Sequence, residues 1–208
     1  MHRDSNCIDP HRRPADRFGE HRLVVEETLA PAKKSDARCI AQLYRIASDG
    51  VSDYVWSKQA LPGQHILDVG QARYERENAA FSYQNCTMAW VNNDIAGLLM
   101  TFPMQVDPDE VEHDPVLKPY ARLEEDNSLY IAGVALFPEF RGRGIGTRLM
   151  ALAEQQAQEE GLTKLSLIVF SRNTGAKQLY DRLGYVERAR ETIVPHPLIH
   201  SSGEAILM

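Results

Sequence analysis

The apolar stretch Leu129-Tyr-Ile-Ala-Gly-Val-Ala-Leu136 runs through Phe137-Pro-Glu-Phe-Arg-Gly-Arg-Gly-Ile-Gly146 into a segment whose apolar residues have helical spacing. The apolar run predicts a strand, and Gly161 is a natural stop for the helix that follows. Glycines at positions 142, 144 and 146 remove Cβ atoms where the chain turns, so the free amides that open the helix can close around an anion. This succession of strand, glycine-rich turn and helix predicts a pyrophosphate-binding loop.

Arginines surround the same loop, and two common phosphate-binding templates do not fit it. The side chains that add charge-assisted donors are Arg141, Arg143 and Arg148. A Walker loop needs a Lys after its last glycine, where this chain has Thr147. A dinucleotide fingerprint that starts at Gly142 would need its third glycine at that same position. A glycine turn with a purely structural role is the alternative interpretation.

The composition is that of an ordinary globular protein. The chain has 208 residues, of which 43% are hydrophobic and 25% are charged, and its net charge is -6. The negative charge argues against nucleic acid or an anionic membrane as a partner. An anionic nucleotide cofactor would need a local positive site, and the loop with its arginines is the best one in the chain.

The start of the chain differs from the rest. Residues 1–20 are rich in Arg, His, Asp and Pro, so we expect a flexible N-terminal extension, with a basic arm as the functional alternative, followed by a single domain over residues 21–208. The first residues have no apolar core for a signal peptide, and no apolar run approaches the roughly 18 residues that span a bilayer. We therefore expect a cytoplasmic protein.

Apolar periodicity and turn residues divide the remaining chain into elements. Helical spacing from Ile40 to Ala47 predicts a helix that ends before Gly50, and two apolar runs around Asn92-Asn-Asp94 predict a hairpin. The other expectations are strands at His21–Glu27, Leu165–Phe170, Tyr185–Val194 and Ala205–Met208, helices at Val51–Ala60, Val69–Asn78 and after Gly175, and a solvated acidic loop at Pro103–Asn127. This order predicts an α/β fold with a mixed, mainly antiparallel sheet flanked by helices.

The loop resembles the acyl-CoA-binding motif of the GNAT superfamily of N-acyltransferases, whose pattern is Gln/Arg-x-x-Gly-x-Gly/Ala. A second signature of that family is an Asn after the next strand, then a Leu-Tyr late in the following helix, then Gly-Tyr or Gly-Phe. The matching residues are Arg141, Gly144 and Gly146 for the first signature, and Asn173, Leu179-Tyr180 and Gly184-Tyr185 for the second. The resemblance implies a GNAT-like sheet whose splayed central strands form an acyl-CoA cleft.

The resemblance also implies roles for the residues at matching positions. Main-chain groups of Val134, Ala135 and Leu136 would pair with the pantetheine arm, and the Leu136 amide would stabilise the oxyanion that develops at the thioester. Asn173 would hydrogen-bond the cofactor arm, and Tyr180 would protonate the departing thiolate. The residues whose amides would hold the pyrophosphate of acetyl-CoA are Arg141, Gly142, Arg143, Gly144, Ile145, Gly146 and Thr147.

Two of these residues have ordinary structural alternatives. Tyr180 lies on an apolar stripe with Leu179 and Leu183, which is typical of a core tyrosine, and Asn173 is well placed for a helix cap. The general base is missing from its usual place, because many members of the family carry a Glu on the strand that reads Leu167-Ile-Val-Phe170 here. The candidates for water-mediated proton removal are Glu125, Asp126, Tyr130, Tyr83 and His196.

A covalent acyl-cysteine route is disfavoured, and no metal is expected. Cys39 and Cys86 fall in apolar sequence without a local basic partner, and no cysteine or histidine has metal-ligand spacing. We therefore expect an enzyme that transfers an acetyl group from acetyl-CoA to a primary amine by direct attack in a ternary complex. The acceptor would be a small molecule or a protein, and the alternative is a non-catalytic acyl-CoA-binding or sensing module. For the oligomeric state, a homodimer is the commonest assembly in general.

Overall fold

A computed structural model describes residues 26–208, which form one open sheet with helices on both faces. The extension expected over residues 1–20 lies outside the described residues. The strands are β1 (Glu27–Pro31), β2 (Cys86–Val91), β3 (Asp94–Met104), β4 (Ser128–Leu136), β5 (Leu165–Phe170), β6 (Ala189–Thr192) and β7 (Glu204–Leu207). The helices are α1 (Ala37–Ser48), α2 (Val51–Ser57), α3 (Ile66–Tyr74), α4 (Lys118–Ala121), α5 (Ile145–Glu159) and α6 (Thr174–Arg182).

The sheet is mixed and mainly antiparallel, as the element order predicts. Within the described part of the chain the strand order is β1-β2-β3-β4-β5-β7-β6. Neighbouring strands are antiparallel, except that β4 and β5 are parallel. The predicted α/β fold is therefore confirmed.

The β2–β3 hairpin forms at a turn that needs left-handed backbone. Asn92 has a φ of 56°, a conformation that Asn adopts more readily than most non-glycine residues. Val91 pairs with Asp94 across the turn, and the apolar runs on either side pair as an antiparallel ladder. The hairpin predicted from these two runs is confirmed.

Apolar stripes on the helices cover the two faces of the sheet. On one face, Ile40 and Leu43 of α1 are fully buried together with Trp56 of α2 and Tyr74 of α3. On the other face, the helix after the glycine loop buries a stripe at helical spacing, and its members are Ile145, Leu149, Met150, Ala153 and Ala157. The sheet is therefore covered by helices on both sides.

β4 and β5 part after a short parallel ladder. The ladder joins only Leu129–Ile131 of β4 to Leu165–Leu167 of β5, and the end of β5 pairs with β7 instead. On its other edge, β4 has a bulge at Ala132, because Met100 pairs with Gly133 and Thr101 pairs with Ile131. A bulge bends its strand, so the end of β4 diverges from β5 and opens a cleft in the middle of the sheet.

Some element boundaries differ from the predictions. Of the strand expected at His21–Glu27, residues 21–25 lie outside the described part, Glu26 is not in a strand, and Glu27 begins β1. The third helix spans Ile66–Tyr74 rather than Val69–Asn78, because His65 caps its first turn by accepting a hydrogen bond from Leu67 at 3.2 Å. The strand expected at Tyr185–Val194 is limited to Ala189–Thr192.

The acidic segment expected as a solvated loop is partly packed. It contains α4, and Val116 and Leu123 are buried against Phe170, Ile193 and Ile199. Apolar residues at positions 116, 120 and 123 have helical spacing, but the carboxylates around them hide this pattern in the sequence. The segment therefore packs against the end of β5, where Phe170 lies.

Candidate active site

The divergence of β4 and β5 opens a cleft of about 1500 Å³. The cleft is lined by the ends of these two strands, by the glycine loop, by the start of α6 and by the corner between α1 and α2. Segments that are far apart in the chain therefore meet around one space, and most of the residues that the sequence singles out line it.

Main-chain groups at the end of β4 face this cleft. In an antiparallel pair, the amides of successive residues point to alternate sides of the strand. The amide of Phe137, just beyond β4, donates to the carbonyl of Ala96 on the β3 side at 2.9 Å. The amides of Leu136 and Val134 therefore point away from β3, toward the open side, whereas that of Ala135 points to β3.

The position of Leu136 depends on a glycine in the neighbouring strand. A Cβ at Gly97 would lie 2.3 Å from Leu136 Cδ2 and 2.4 Å from the Ala135 carbonyl oxygen. These distances are shorter than any van der Waals contact, so only glycine lets β4 approach β3 here. The Leu136 carbonyl, on the open side, accepts a hydrogen bond from Arg141 Nε at 3.2 Å. The sequence analysis missed Gly97, because a glycine inside a strand does not show which backbone it approaches.

The glycine loop has the backbone that an anion site requires. Gly142 and Gly144 have φ of 74° and 80°, in the left-handed region that favours glycine. Gly144 directly precedes α5, so the amides of Ile145, Gly146 and Thr147 form its first turn and have no carbonyl partner within the helix. A Cβ at Gly142 would meet no atom within 4 Å. The space around the loop is therefore open.

The amide of Arg141 is already used within the loop. It donates to the Pro138 carbonyl at 3.2 Å in the short 3-10 turn Pro138–Phe140. Its side chain holds the Leu136 carbonyl, as described above. Arg141 therefore connects β4 to the loop, and the free amides begin after it.

The other two loop arginines do not line the cleft, although Arg148 Nη1 stays near the loop, 3.6 Å from where a Cβ of Gly144 would lie. Arg143 Nη2 donates to the Glu139 carbonyl at 3.0 Å, and the Arg143 guanidinium lies over the Phe140 ring, 5.6 Å from its centre. Arg148 forms an ion pair with Glu27 of β1. Two other arginines, Arg172 and Arg182, line the cleft instead, and no spacing in the sequence distinguishes them.

Asn173 lies at the start of α6 and caps it. Its side-chain oxygen Oδ1 accepts a hydrogen bond from the Ala176 amide at 3.2 Å, which is the ordinary helix-cap arrangement. The residue is exposed and lines the cleft. The cap leaves the side-chain NH₂ group available to a ligand.

Tyr180 is buried in the wall of the cleft. Its exposed fraction is 8%, its ring packs beside that of Tyr185 at 5.9 Å, and burial raises the pKa of its phenol to about 12. Within residues 26–208 its hydroxyl makes no hydrogen bond, although the residue lines the cleft. Tyr180 therefore packs as a core residue and also lines the cleft, and its role as the acid stays a prediction.

None of the five candidate bases lines the cleft. The Glu125 carboxylate pairs with Lys164 at 2.7 Å, and Asp126 Oδ1 accepts from the Val106 amide at 2.9 Å. The Tyr83 hydroxyl donates to Glu77 at 3.4 Å. These side chains are engaged on other surfaces of the molecule.

The remaining two candidates are also engaged elsewhere. The Tyr130 ring packs against Phe102 at 5.6 Å, and burial raises the pKa of its phenol. His196 Nδ1 accepts from the Leu198 amide at 3.2 Å, and its ring packs against Tyr54 at 4.5 Å. The cleft position of Ile168 on β5 is apolar, as the sequence indicates.

A polar corner that the sequence analysis missed lines the other part of the cleft. Asp49 and Gly50 join α1 to α2, and His200 and Ser201 lie in the loop before β7. The Ser201 hydroxyl donates to Asp49 Oδ2, and His200 Nδ1 lies 3.7 Å from Asp49 Oδ1. The two segments are 152 positions apart, so no local pattern joins them.

Metal and membrane chemistry find no support in the described residues. Among residues 26–208, no group of three or more His, Cys, Asp or Glu side chains could hold a metal ion. Over the same range, no helix is long and apolar enough to cross a membrane. Cys86 is buried, and burial raises the pKa of its thiol, so it is a poor nucleophile.

Comparisons with known proteins agree with the fold. A model of the acetyltransferase (GNAT) family matches residues 51–185, and the chain belongs to this family. It is similar to the uncharacterised N-acetyltransferase YycN of Bacillus subtilis, with 36% identity over 58 residues, which is 28% of this chain and 37% of that protein. The chain matches less than half the length of the curated relatives.

Solved structures show the same fold over most of the chain. An N-acetyltransferase of Staphylococcus aureus Mu50 is similar with a TM-score of 0.57 and 19% identity, and the match covers 87% of this chain and 100% of that chain. YncA of Salmonella typhimurium, solved with its cofactor acetyl-CoA, has a TM-score of 0.56 and 15% identity, with 88% and 91% covered. These likenesses confirm the expected GNAT-like sheet.

Proposed function

We propose that this protein is an acetyl-CoA-dependent N-acetyltransferase that moves an acetyl group to a primary amine by direct attack in a ternary complex. The observation that carries the proposal is that unpaired β4 amides, a glycine loop at a helix start and Tyr180 line one cleft. Membership of the GNAT family supports the same conclusion. The expected domain over residues 21–208 is supported over residues 26–208, where hydrogen bonds join all seven described strands in one sheet.

The residues present fit the cofactor. The amides of Gly144 to Thr147 and the start of α5 would hold the pyrophosphate, because a helix start binds anions through free N–H groups and the helix dipole. The outward-facing amide of Val134 would pair with the pantetheine arm, and Asn173 would donate its NH₂ group to the same arm. Acetyl-CoA supplies the activated acetyl group as a thioester.

The Leu136 amide has the position of an oxyanion donor. It faces the open side of β4, next to the carbonyl that Arg141 holds. An amide fixed before the reaction stabilises charge as it develops, and loss of one such donor in other enzymes costs about 10²–10³ in kcat. The bulge at Ala132 and the glycine at position 97 keep this amide in place.

The role of Tyr180 follows from its environment. A phenol with its pKa raised to about 12 stays protonated at neutral pH. It can donate a hydrogen bond to the leaving sulfur, whose thiol has a pKa of about 8.5 in general. The phenol holds its proton more tightly than a thiol does, so its main contribution is that hydrogen bond. The proton that the amine nitrogen loses helps to supply the proton that the sulfur gains.

The experiment that tests the proposal is a screen for released CoA thiol with acetyl-CoA and a panel of primary amines. The panel contains benzylamine, spermidine, free lysine, an aminoglycoside and a peptide with a free N-terminus. We expect turnover with at least one amine, and we expect Tyr180→Phe to lower kcat about 10² fold with the Kd for acetyl-CoA unchanged.

Leu183→Ile, a change at the residue that follows α6 and does not line the cleft, is the matched control and should keep the parent kcat. A Tyr180→Phe variant as active as the parent would remove the acid role. Absence of thiol release with every amine would contradict the catalytic proposal as a whole.

One observation favours a second candidate function, an acyl-CoA-binding or sensing module without catalysis. Ile168 gives the cleft an apolar wall at the position where many members of the family carry a carboxylate. Both functions predict binding, and acetyl-CoA at one hundred times its Kd should stabilise the fold by about 2.7 kcal/mol. Only turnover separates them, so the same screen decides.

A further inference from the structure

We infer that His200 is the general base that takes a proton from the acceptor amine, and that Asp49 is the residue that positions it; this inference rests on the proposed function. The wall of the cleft has no carboxylate at Ile168, and the five candidates from the sequence lie elsewhere. His200 lines the cleft and its side chain is 67% exposed. An acceptor that enters the cleft can therefore reach it.

One hydrogen bond fixes the backbone of His200 to Asp49, and two further contacts place the Asp49 carboxylate beside the His200 ring. The His200 amide donates to the Asp49 carbonyl at 3.0 Å. The Ser201 hydroxyl donates to Asp49 Oδ2, and His200 Nδ1 lies 3.7 Å from Asp49 Oδ1, an ion-pair distance. Both carboxylate oxygens thus face the loop, and Nε2, on the far edge of the ring from Asp49, is the nitrogen left to accept a proton.

The backbone at this corner leaves little freedom. Asp49 has a φ of 47° and Gly50 a φ of 96°. A Cβ at Gly50 would lie 2.0 Å from the Leu198 carbonyl oxygen. The loop before β7 is therefore packed directly on the main chain of the α1–α2 corner, which holds His200 at a constant place in the cleft.

Other polar groups in the cleft are less suited to this role. Asp53 is held by Arg45 through two hydrogen bonds of 2.7 and 2.6 Å. Tyr120 is near this corner but does not line the cleft, and burial, with the charge of Asp49, raises its pKa to about 12, so its phenol keeps its proton. Glu139 lies in the turn that leads into the glycine loop, where an anionic cofactor is expected. His200 is the group that combines access with a fixed position.

The proton balance of the step is simple. An alkylammonium acceptor gives one proton to His200 Nε2, and the neutral amine nitrogen then forms a bond to the acetyl carbon. The bond between that carbon and sulfur breaks, and its electron pair leaves with the sulfur. The new amide nitrogen loses a second proton and the sulfur gains one, so the overall reaction releases to solvent only the proton that His200 took.

The test compares three variants with the amine that reacts fastest in the panel. We expect His200→Ala to lower kcat about 10² fold, to keep the Kd for acetyl-CoA in calorimetry, and to regain activity when imidazole is added to the buffer. Asp49→Asn should lower kcat about 10 fold, because Asn tolerates the same backbone and still accepts from Ser201 but has no charge. In the double variant, Asp49→Asn should add no further loss, since it acts through His200.

His113→Ala, which removes an exposed histidine before α4, is the matched control and should retain the parent rate. A His200→Ala variant with the parent kcat, or with a loss that imidazole does not reverse, overturns the inference and leaves the proposed function intact. Absence of thiol release by the parent protein with every amine overturns the proposed function and this inference with it. Circular dichroism of each variant confirms that the fold is retained.

Discussion

The cleft has two ends that are built in different ways, and we propose that one holds the cofactor and the other the acceptor. The cofactor end consists mainly of main-chain groups from one continuous stretch, residues 134–147, which turns from β4 into α5. The acceptor end consists of side chains from the α1–α2 corner and the loop before β7, 152 positions apart in the chain. Changes at the first end should therefore act through backbone geometry and cofactor binding, and changes at the second through turnover alone.

The largest effect is expected from Gly144→Val at the cofactor end. Gly144 has a φ of 80°, and a branched side chain there is strained and would occupy the space that the pyrophosphate needs. We expect the Kd for acetyl-CoA to rise more than about 10² fold in calorimetry, the loss of roughly 2.7 kcal/mol of binding. Gly161→Val is the matched control, because it has a φ of 70° outside the cleft and should keep the affinity. A folded Gly144→Val variant with unchanged affinity would contradict the binding role of the loop.

A smaller effect is expected from Gly97→Ala at the same end of the cleft. This variant distinguishes the position of the Leu136 amide from the affinity for acetyl-CoA. The new methyl group would push against Leu136 and the Ala135 carbonyl, so β4 must shift. We expect a loss of about 1–3 kcal/mol in the free energy of unfolding and a fall of about 10 fold in kcat, with a smaller change in the Kd for acetyl-CoA.

Gly175→Ala serves as the stability control for that variant. A Cβ there meets no atom within 4 Å, and Ala is the better helix former by up to about 1 kcal/mol. Urea unfolding and initial rates measure the two quantities. A Gly97→Ala protein with the parent kcat would show that the Leu136 amide does not depend on this glycine.

The smallest effect concerns stability at high pH, where two buried tyrosines should behave alike, one of which lines the cleft and one of which does not. Burial raises the pKa of Tyr180 and of Tyr120 to about 12, whereas an unfolded tyrosine ionises at about 10. Between these values the unfolded chain releases protons that the folded chain keeps, so stability present below pH 10 should fall as the pH rises toward 12. Urea midpoints at pH 8, 10 and 11 should show a shallower fall for Tyr180→Phe and Tyr120→Phe. An identical fall in all three proteins would contradict these shifts.

The backbone of the cofactor end could be predicted from the sequence because its geometry is local. Gly142 and Gly144 predict a left-handed backbone. Because the loop lies between an apolar strand and an amphipathic helix, its position also predicts which amides have no partner within the helix. The acceptor end was not readable. In the sequence, Asp49 is only a residue near the end of a helix, and His200 is only part of a connection that contains Pro and His. The role that we propose for them depends on the contact between Asp49 and the loop before β7, which forms only on folding.

The same difference explains the smaller discrepancies. Arg143 and Arg148 were expected around the anion, but long side chains find partners that local sequence does not specify, and these two contact Glu139 and Glu27. The bulge at Ala132 has no signature in its own strand, since it is defined by the register with β3. Left-handed turns that glycine permits locally are predictable, whereas the close approach of Gly97 to β4 and the side-chain partners across the sheet are not.

The most direct test of the central claim is a crystal structure with acetyl-CoA bound. The account predicts that the pyrophosphate oxygens lie at hydrogen-bond distance, about 3 Å, from the amides of residues 144–147. It also predicts the thioester carbonyl beside the Leu136 amide. Acetyl-CoA bound elsewhere, or held at this loop by side chains with its amides unoccupied, would contradict it.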